Sequence, residues 1–235
     1  MWPFTLFVFA HICTGAIGLL MFWAPMLSRK GGATHRLWGR RFAYSMLITG
    51  ALAVAMGTCT LIDPLGTHPH QTDPVFVRGI FGWMMIYLAL LTISLAWHGV
   101  MVVRNARTPK ANRQIFDVAL QAIVIIAALN CAIRGYLIGQ PLMMLIATIG
   151  VASGATNLWF SFTENHKPLE HVREHVKASV GAGISVYTAF LAFGAVRLIP
   201  EHVFNPALWS APTIIGISII LYFQRRFSAS RPIRS

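Results

Sequence analysis

Seven apolar runs, each close to the length a helix needs to cross a bilayer, leave this chain few ways to fold. They cover residues 4–27, 43–62, 79–103, 115–137, 141–162, 176–198 and 207–224. A helix rises about 1.5 Å per residue, so roughly 20 apolar residues span the hydrocarbon core. In lipid the backbone must satisfy its own hydrogen bonds, and a helix does this within one segment. The expected architecture is therefore an all-α integral membrane bundle of seven transmembrane helices, one domain over residues 1–235. Composition agrees. The chain is 56% hydrophobic and only 11% charged, where a soluble domain carries about 25% charged residues. So few charges cannot cover its apolar surface in water.

The first run opens "MWPFTLFVFAHICTG" with no cation ahead of it. A secretory signal peptide has the opposite order, so residues 4–27 read as a retained helix. The cations sort by loop. Arg29, Lys30, Arg36, Arg40 and Arg41 follow run one, and Arg104, Arg107, Lys110 and Arg113 follow run three. Lys167, Arg173 and Lys177 precede run six, and Arg225, Arg226, Arg231 and Arg234 close the chain. Of the 19 Lys and Arg, only Arg78, Arg134 and Arg197 fall at the other helix ends. Positive loops stay in the cytoplasm, which predicts the N-terminus outside and the C-terminus inside, in a cell inner (plasma) membrane. Trp2, Trp83, Tyr136 and Trp209 fall at the outer interface, and Trp23, Trp97, Trp159 and Tyr222 at the inner one, as aromatic belts do.

The net charge of +12 therefore marks topology and contact with anionic lipid headgroups, worth on the order of 1 kcal/mol per cation near the surface. It does not mark nucleic acid, because the cations alternate with spans and build no reading element. Small residues offer close helix packing: Gly150 and Gly154, Ser179 and Gly183, Gly15 and Gly18. They suit contacts inside the bundle, or a face for a homodimer or a membrane-protein partner.

Polar groups inside the spans are costly and therefore informative. Asp117 and Gln121 share one face of the fourth run, and Asn130 and Arg134 share another. His11 lies roughly 10 Å below the outer end of the first helix. His35, His98, His171 and His175 all reach the inner leaflet. Two imidazoles on different helices are the minimum for a b-type haem in a bundle, and His98 with His175 is the expected iron-ligating pair. His35 stands close by, and Arg36 and Arg40 are placed to meet haem propionates or a quinone head group. Outside, His68, His70, Asp73 and His202 form a weak chelating pattern that reads as a solvated loop. Cys13, Cys59 and Cys131 form no CxxC and read as small buried residues. There is no GxSxG, HExxH or P-loop, so the chain declares no enzymatic chemistry.

Two stretches carry a resemblance. "HICTGAIGLL" through "RKGGATHRLWGRRFAYSM" holds His11, Lys30, Gly31, Gly32, His35, Arg36, Gly39, Arg40 and Phe42. "EHVKASVGAGISVYTAFLAFGA" holds His175, Gly181, Gly183, Thr188, Ala189, Phe190 and Gly194. In these the chain resembles a family of uncharacterised predicted bacterial multi-span membrane proteins, of the domain-of-unknown-function type. The resemblance implies a bacterial inner-membrane protein and supplies no activity. With it, "RKGGATHR" reads as a loop that folds back under the bundle and brings His35 towards His98 and His175. Three functions follow in order: a membrane redox protein with an inner-leaflet haem or quinone site, a small-molecule or ion carrier, and an accessory subunit of a larger membrane complex.

Overall fold

The computed structural model of the chain describes residues 2–194 and 206–229. Among them every regular element is helical. In order these are α1 (Trp2–Leu27), α2 (Ala33–Ile62), the single turns α3 (Pro64–Thr67) and α4 (Pro74–Val77), α5 (Met85–Arg104), α6 (Ile115–Leu137), α7 (Pro141–Phe162), α8 (Glu170–Ala189) and α9 (Pro206–Ala229). A π-helical stretch, Arg78–Met84, runs from α4 into α5, and another, Phe190–Gly194, extends α8. Among the described residues five helices are long and apolar enough to cross a membrane: Pro3–Leu27, Ala33–Ile62, Pro74–Arg104, Ile115–Leu137 and Pro141–Phe162.

The expected boundaries agree at 115–137 and 141–162 and move elsewhere. α2 begins at Ala33, well before the expected 43. Arg36, Arg40 and Arg41 end an apolar run, but arginine is a good helix former, so the backbone continues where hydropathy stops. The long loop expected to fold under the bundle is thus a short turn. Its sharp point is Gly31, at φ 74, a left-handed angle that glycine adopts without steric cost. α8 likewise starts at Glu170, ahead of the expected 176. Arg197, Glu201, His202, Arg231 and Arg234, and the side chains of Trp2 and Trp209, lie outside the described residues.

Side-chain contacts show which helix ends lie together. At one end, Lys30 sits 5.2 Å from the Phe223 ring, Trp97 bonds Asp117, Arg113 bonds Ser161 O, His98 bonds Glu174 and Arg173 bonds Gln224. At the other, Phe4 meets His68, Arg78 bonds Leu61 O, and Arg134 lies over Trp83. The cation-rich loops all fall at the first end. Several cations also stop helices. Arg113 donates to the carbonyls of Ser161 and Phe162 at 2.8 and 3.2 Å, closing α7. Lys30 donates to Pro25 O and Met26 O, closing α1. Arg78 does the same for α2 at 3.1 Å. The last carbonyls of a helix have no partner within it and carry partial negative charge, so a cation stabilises them.

Glycines seat the rods. A Cβ on Gly50 would fall 3.2 Å from Ala89 O, and one on Gly57 would fall 3.2 Å from Gly82 O, so α2 lies backbone to backbone against the α5 rod. Gly150 makes room for the Tyr87 ring, whose hydroxyl donates to Ile146 O at 2.7 Å, and Gly154 packs on α6. The GxxxG pair is spent inside the bundle. The outer surface is apolar, with Leu20 78%, Ile126 65% and Ile115 88% exposed. A water-facing surface of that kind would be a large exposed patch, whereas a lipid-facing one costs nothing. Such helices are compatible with a multi-pass membrane protein.

Candidate functional site at the cation-rich end

Four histidines expected near the inner leaflet fall into separate groups, divided by the seam between α5 and α8. That seam is close. A Cβ on Gly99 would meet the Ser179 backbone N at 3.3 Å and Ala178 Cβ at 3.4 Å. Because His98 and Gly99 are neighbours on α5, and Glu174 and His175 neighbours on α8, each helix offers two adjacent groups that point to different sides.

On the α2 side, His175 Nδ1 lies 2.6 Å from Gly99 O, and His35 Nδ1 lies 3.0 Å from Pro25 O. A carbonyl oxygen only accepts, so Nδ1 carries the hydrogen in both rings. Nε2 of each neutral ring then keeps its lone pair, which is the arrangement a ligating histidine uses: one nitrogen donates to a backbone carbonyl and the other faces the metal. The two ring centroids stand 6.1 Å apart with planes at 75°. Two imidazoles bound through nitrogen to one ion, with bonds of about 2 Å, place their centroids roughly 6 Å apart. His35 reaches this position from the first turns of α2, not from a loop. Towards the middle of the bundle, Phe22 packs at 5.5 Å on Phe42 and at 5.8 Å on Tyr187, and Trp23 donates to the Tyr187 hydroxyl at 2.6 Å. Arg36 and Arg40, further along α2, are exposed. Among the described residues no group of three or more His, Cys, Asp or Glu is arranged for a metal ion. Haem iron needs only two protein ligands, and His35 with His175 is a pair of neighbouring imidazoles.

On the α7 side, His98 does something else. Its Nε2 lies 3.0 Å from Glu174 Oε1, which also takes Lys177 Nζ at 2.6 Å. The His98 ring meets the edge of Phe160 at 6.0 Å. The structure sets the His35 ring beside His175 and places His98 against Glu174, so His98 and His175 lie on different sides of the seam. The sequence offers Lys177 only as a loop cation and does not single out Glu174, because the charges of "EHVREHVK" read as the end of a span. The spacing of Glu174 and Lys177, three apart on a helix, was the available signal. His171 lies one turn before His175, and burial and the charge of His166 hold its imidazole below the usual range.

A third polar group lies deeper, between α5, α6 and α7. Trp97 Nε1 donates to Asp117 Oδ1 at 2.5 Å. Gln121 Oε1 accepts from Ser94 Oγ at 2.8 Å and from Asn157 Nδ2 at 3.1 Å. Asp117 and Gln121 do share a buried face, as expected, and join neighbouring helices there. Asn157 is fully buried, and its Oδ1 has no partner. At the opposite end Asn130 is half-buried, and the Arg134 guanidinium stands 5.3 Å from the Trp83 ring. His11 belongs to the seam between α1 and α2: its Nδ1 lies 3.0 Å from Thr49 O, beside a Thr14–Thr49 hydroxyl bond of 2.9 Å.

The outer loop makes no chelate among the described residues. His68 stacks on Phe81 at 4.3 Å, and burial lowers its proton affinity. Asp73 caps α4, accepting from Val75 N and Phe76 N. The three cysteines are free; Cys131 is buried as expected, whereas Cys13 is exposed on the bundle surface.

No protein-family model, curated protein or solved structure matches the chain.

Proposed function

We propose that the protein is a seven-span inner-membrane redox protein holding a b-type haem between His35 and His175. One observation carries this reading: two imidazoles from α2 and α8 face each other at 6.1 Å, each with Nδ1 fixed by a backbone carbonyl. Histidine beside an apolar aromatic cluster suits a macrocycle whose faces are apolar, and the cations Arg36 and Arg40 suit its propionates. A bound haem supplies one-electron chemistry. The chain's own residues orient the ligands, through Gly99 O and Pro25 O, and keep water away through Phe22 and Tyr187. The histidine pair is preferred over the carrier and accessory-subunit readings because, among the described residues, it sets two imidazole rings 6.1 Å apart with both Nδ1 atoms bonded to carbonyls.

Protein expressed with added haem precursor and purified in detergent should show a Soret band, with sharpened visible bands on reduction. A colourless protein free of iron would end the proposal. The orientation, N-terminus outside and C-terminus inside, rests on the cations gathered at one end of the helices. Single cysteines placed at Arg29 and Arg225 in a cysteine-free background should both be labelled only after the membrane is opened, and one at His70 in intact cells. Labels at Arg29 and Arg225 from opposite sides would overturn the topology.

A further inference from the structure

Beside the turn that joins α1 to α2, a crevice of about 550 Å³ opens between the ends of α1 and α9. It is lined by Arg29, Lys30 and Arg226 and by the apolar Leu27, Tyr222 and Phe223. Among the described residues no acidic side chain lines it. Lys30 is not a freely waving surface lysine. Its ammonium closes the last carbonyls of α1 and rests 5.2 Å from the Phe223 ring, which is buried. The cation is therefore held at the mouth of the crevice, tying α1 to α9. Burial, and then the charge of Arg226, makes that ammonium easier to deprotonate than usual, which is the strain a neighbouring anion relieves.

We propose that this crevice binds one anionic phospholipid, with the headgroup phosphodiester between Arg29, Lys30 and Arg226 and an acyl chain over Leu27 and Tyr222. The argument is charge complementarity joined to depth. The three cations sit where α1 and α9 leave the apolar region. Leu27, 82% exposed, and Tyr222, 59% exposed, offer apolar surface on the membrane side of them. Free phosphate satisfies only the charged half of the site. Arginine adds paired donors suited to phosphate oxygens. Each cation near a membrane surface contributes enough that losing two weakens binding by about tenfold or more. Lys30 and His35 share Pro25 O as acceptor, but the lipid response and the haem band are read separately, so failure of one reading leaves the other standing.

The test is thermal unfolding of the full chain in neutral detergent with added phosphatidylglycerol, phosphatidylcholine or inorganic phosphate. Phosphatidylglycerol should raise the midpoint, while phosphatidylcholine and phosphate should not. The double variant Arg29→Gln, Arg226→Gln should need about tenfold more phosphatidylglycerol for the same rise. Lys30 is left in place because it closes α1. Should the double variant fail to fold, Leu27→Glu, at an exposed position, should abolish the response by repelling the headgroup. An unchanged phosphatidylglycerol response in either folded variant, an equal response to phosphatidylcholine, or full stabilisation by phosphate alone would each overturn the proposal.

Discussion

His35→Ala and His175→Ala are each expected to remove the Soret band of the haem-supplemented protein, while His98→Ala leaves it in place. The argument is one of tautomers and sides. A carbonyl at 3.0 Å from His35 Nδ1, and another at 2.6 Å from His175 Nδ1, leaves Nε2 of both rings as an acceptor. His98 points its Nε2 at a carboxylate on the other side of the α5–α8 seam. A haem held by His35 and His175 would lose one of its two protein ligands in either variant, and would wash out or change its spectrum. His175→Ala also frees Gly99 O, so a helical circular-dichroism signal equal to the parent's is the necessary control. Imidazole added to His35→Ala should restore part of the band, because the lost ligand leaves a space of its own size. A band that survives both alanine variants and vanishes in His98→Ala would show that the pairing is the other one.

Glu174→Ala is expected to lower the unfolding midpoint by about 5 °C while leaving the haem band unchanged. Glu174 and His98 are 11% and 5% exposed at the side chain, and the carboxylate takes both His98 and Lys177. Removing one member of a fully buried ion pair costs about 3–5 kcal/mol. Here the cost falls to about 2 kcal/mol, because Lys177, 27% exposed, can turn towards water. An exposed pair would contribute under about 1 kcal/mol, so the midpoint separates the cases. A shift no larger than that of an exposed-surface variant would show that Glu174 is already solvated. Loss of the haem band in a still-folded Glu174→Ala would show that His98 and Glu174 belong to the metal site after all.

The two groups differ in how far the sequence could announce them. His35, His98 and His175 are legible as imidazoles at one end of the helices because their distance from the ends of apolar runs fixes their level along them. Their pairing is not legible. It turns on rotation about the helix axes, and on α2 starting at Ala33, which moves His35 from a loop to a helix face. Asp117 and Gln121 were legible as one face by their spacing of four. Their partners, Trp97, Ser94 and Asn157, sit on other helices and carry no signal beyond polarity. Lys30, Arg78 and Arg113 were legible as charge. That each closes the end of a helix was not, since a cap is a contact in space.

By itself the sequence determined the helical class and the sorting of cations to alternate loops, and α1, α2, α5, α6 and α7 emerge as membrane-length helices. These follow from a one-dimensional rule: the free energy of burying each segment in hydrocarbon depends on its own residues. Only the tertiary structure decided which imidazole faces which, where the basic crevice lies, and how the glycines are used. Those outcomes depend on helix rotation and close backbone approach, set by many weak packing contacts summed across the bundle.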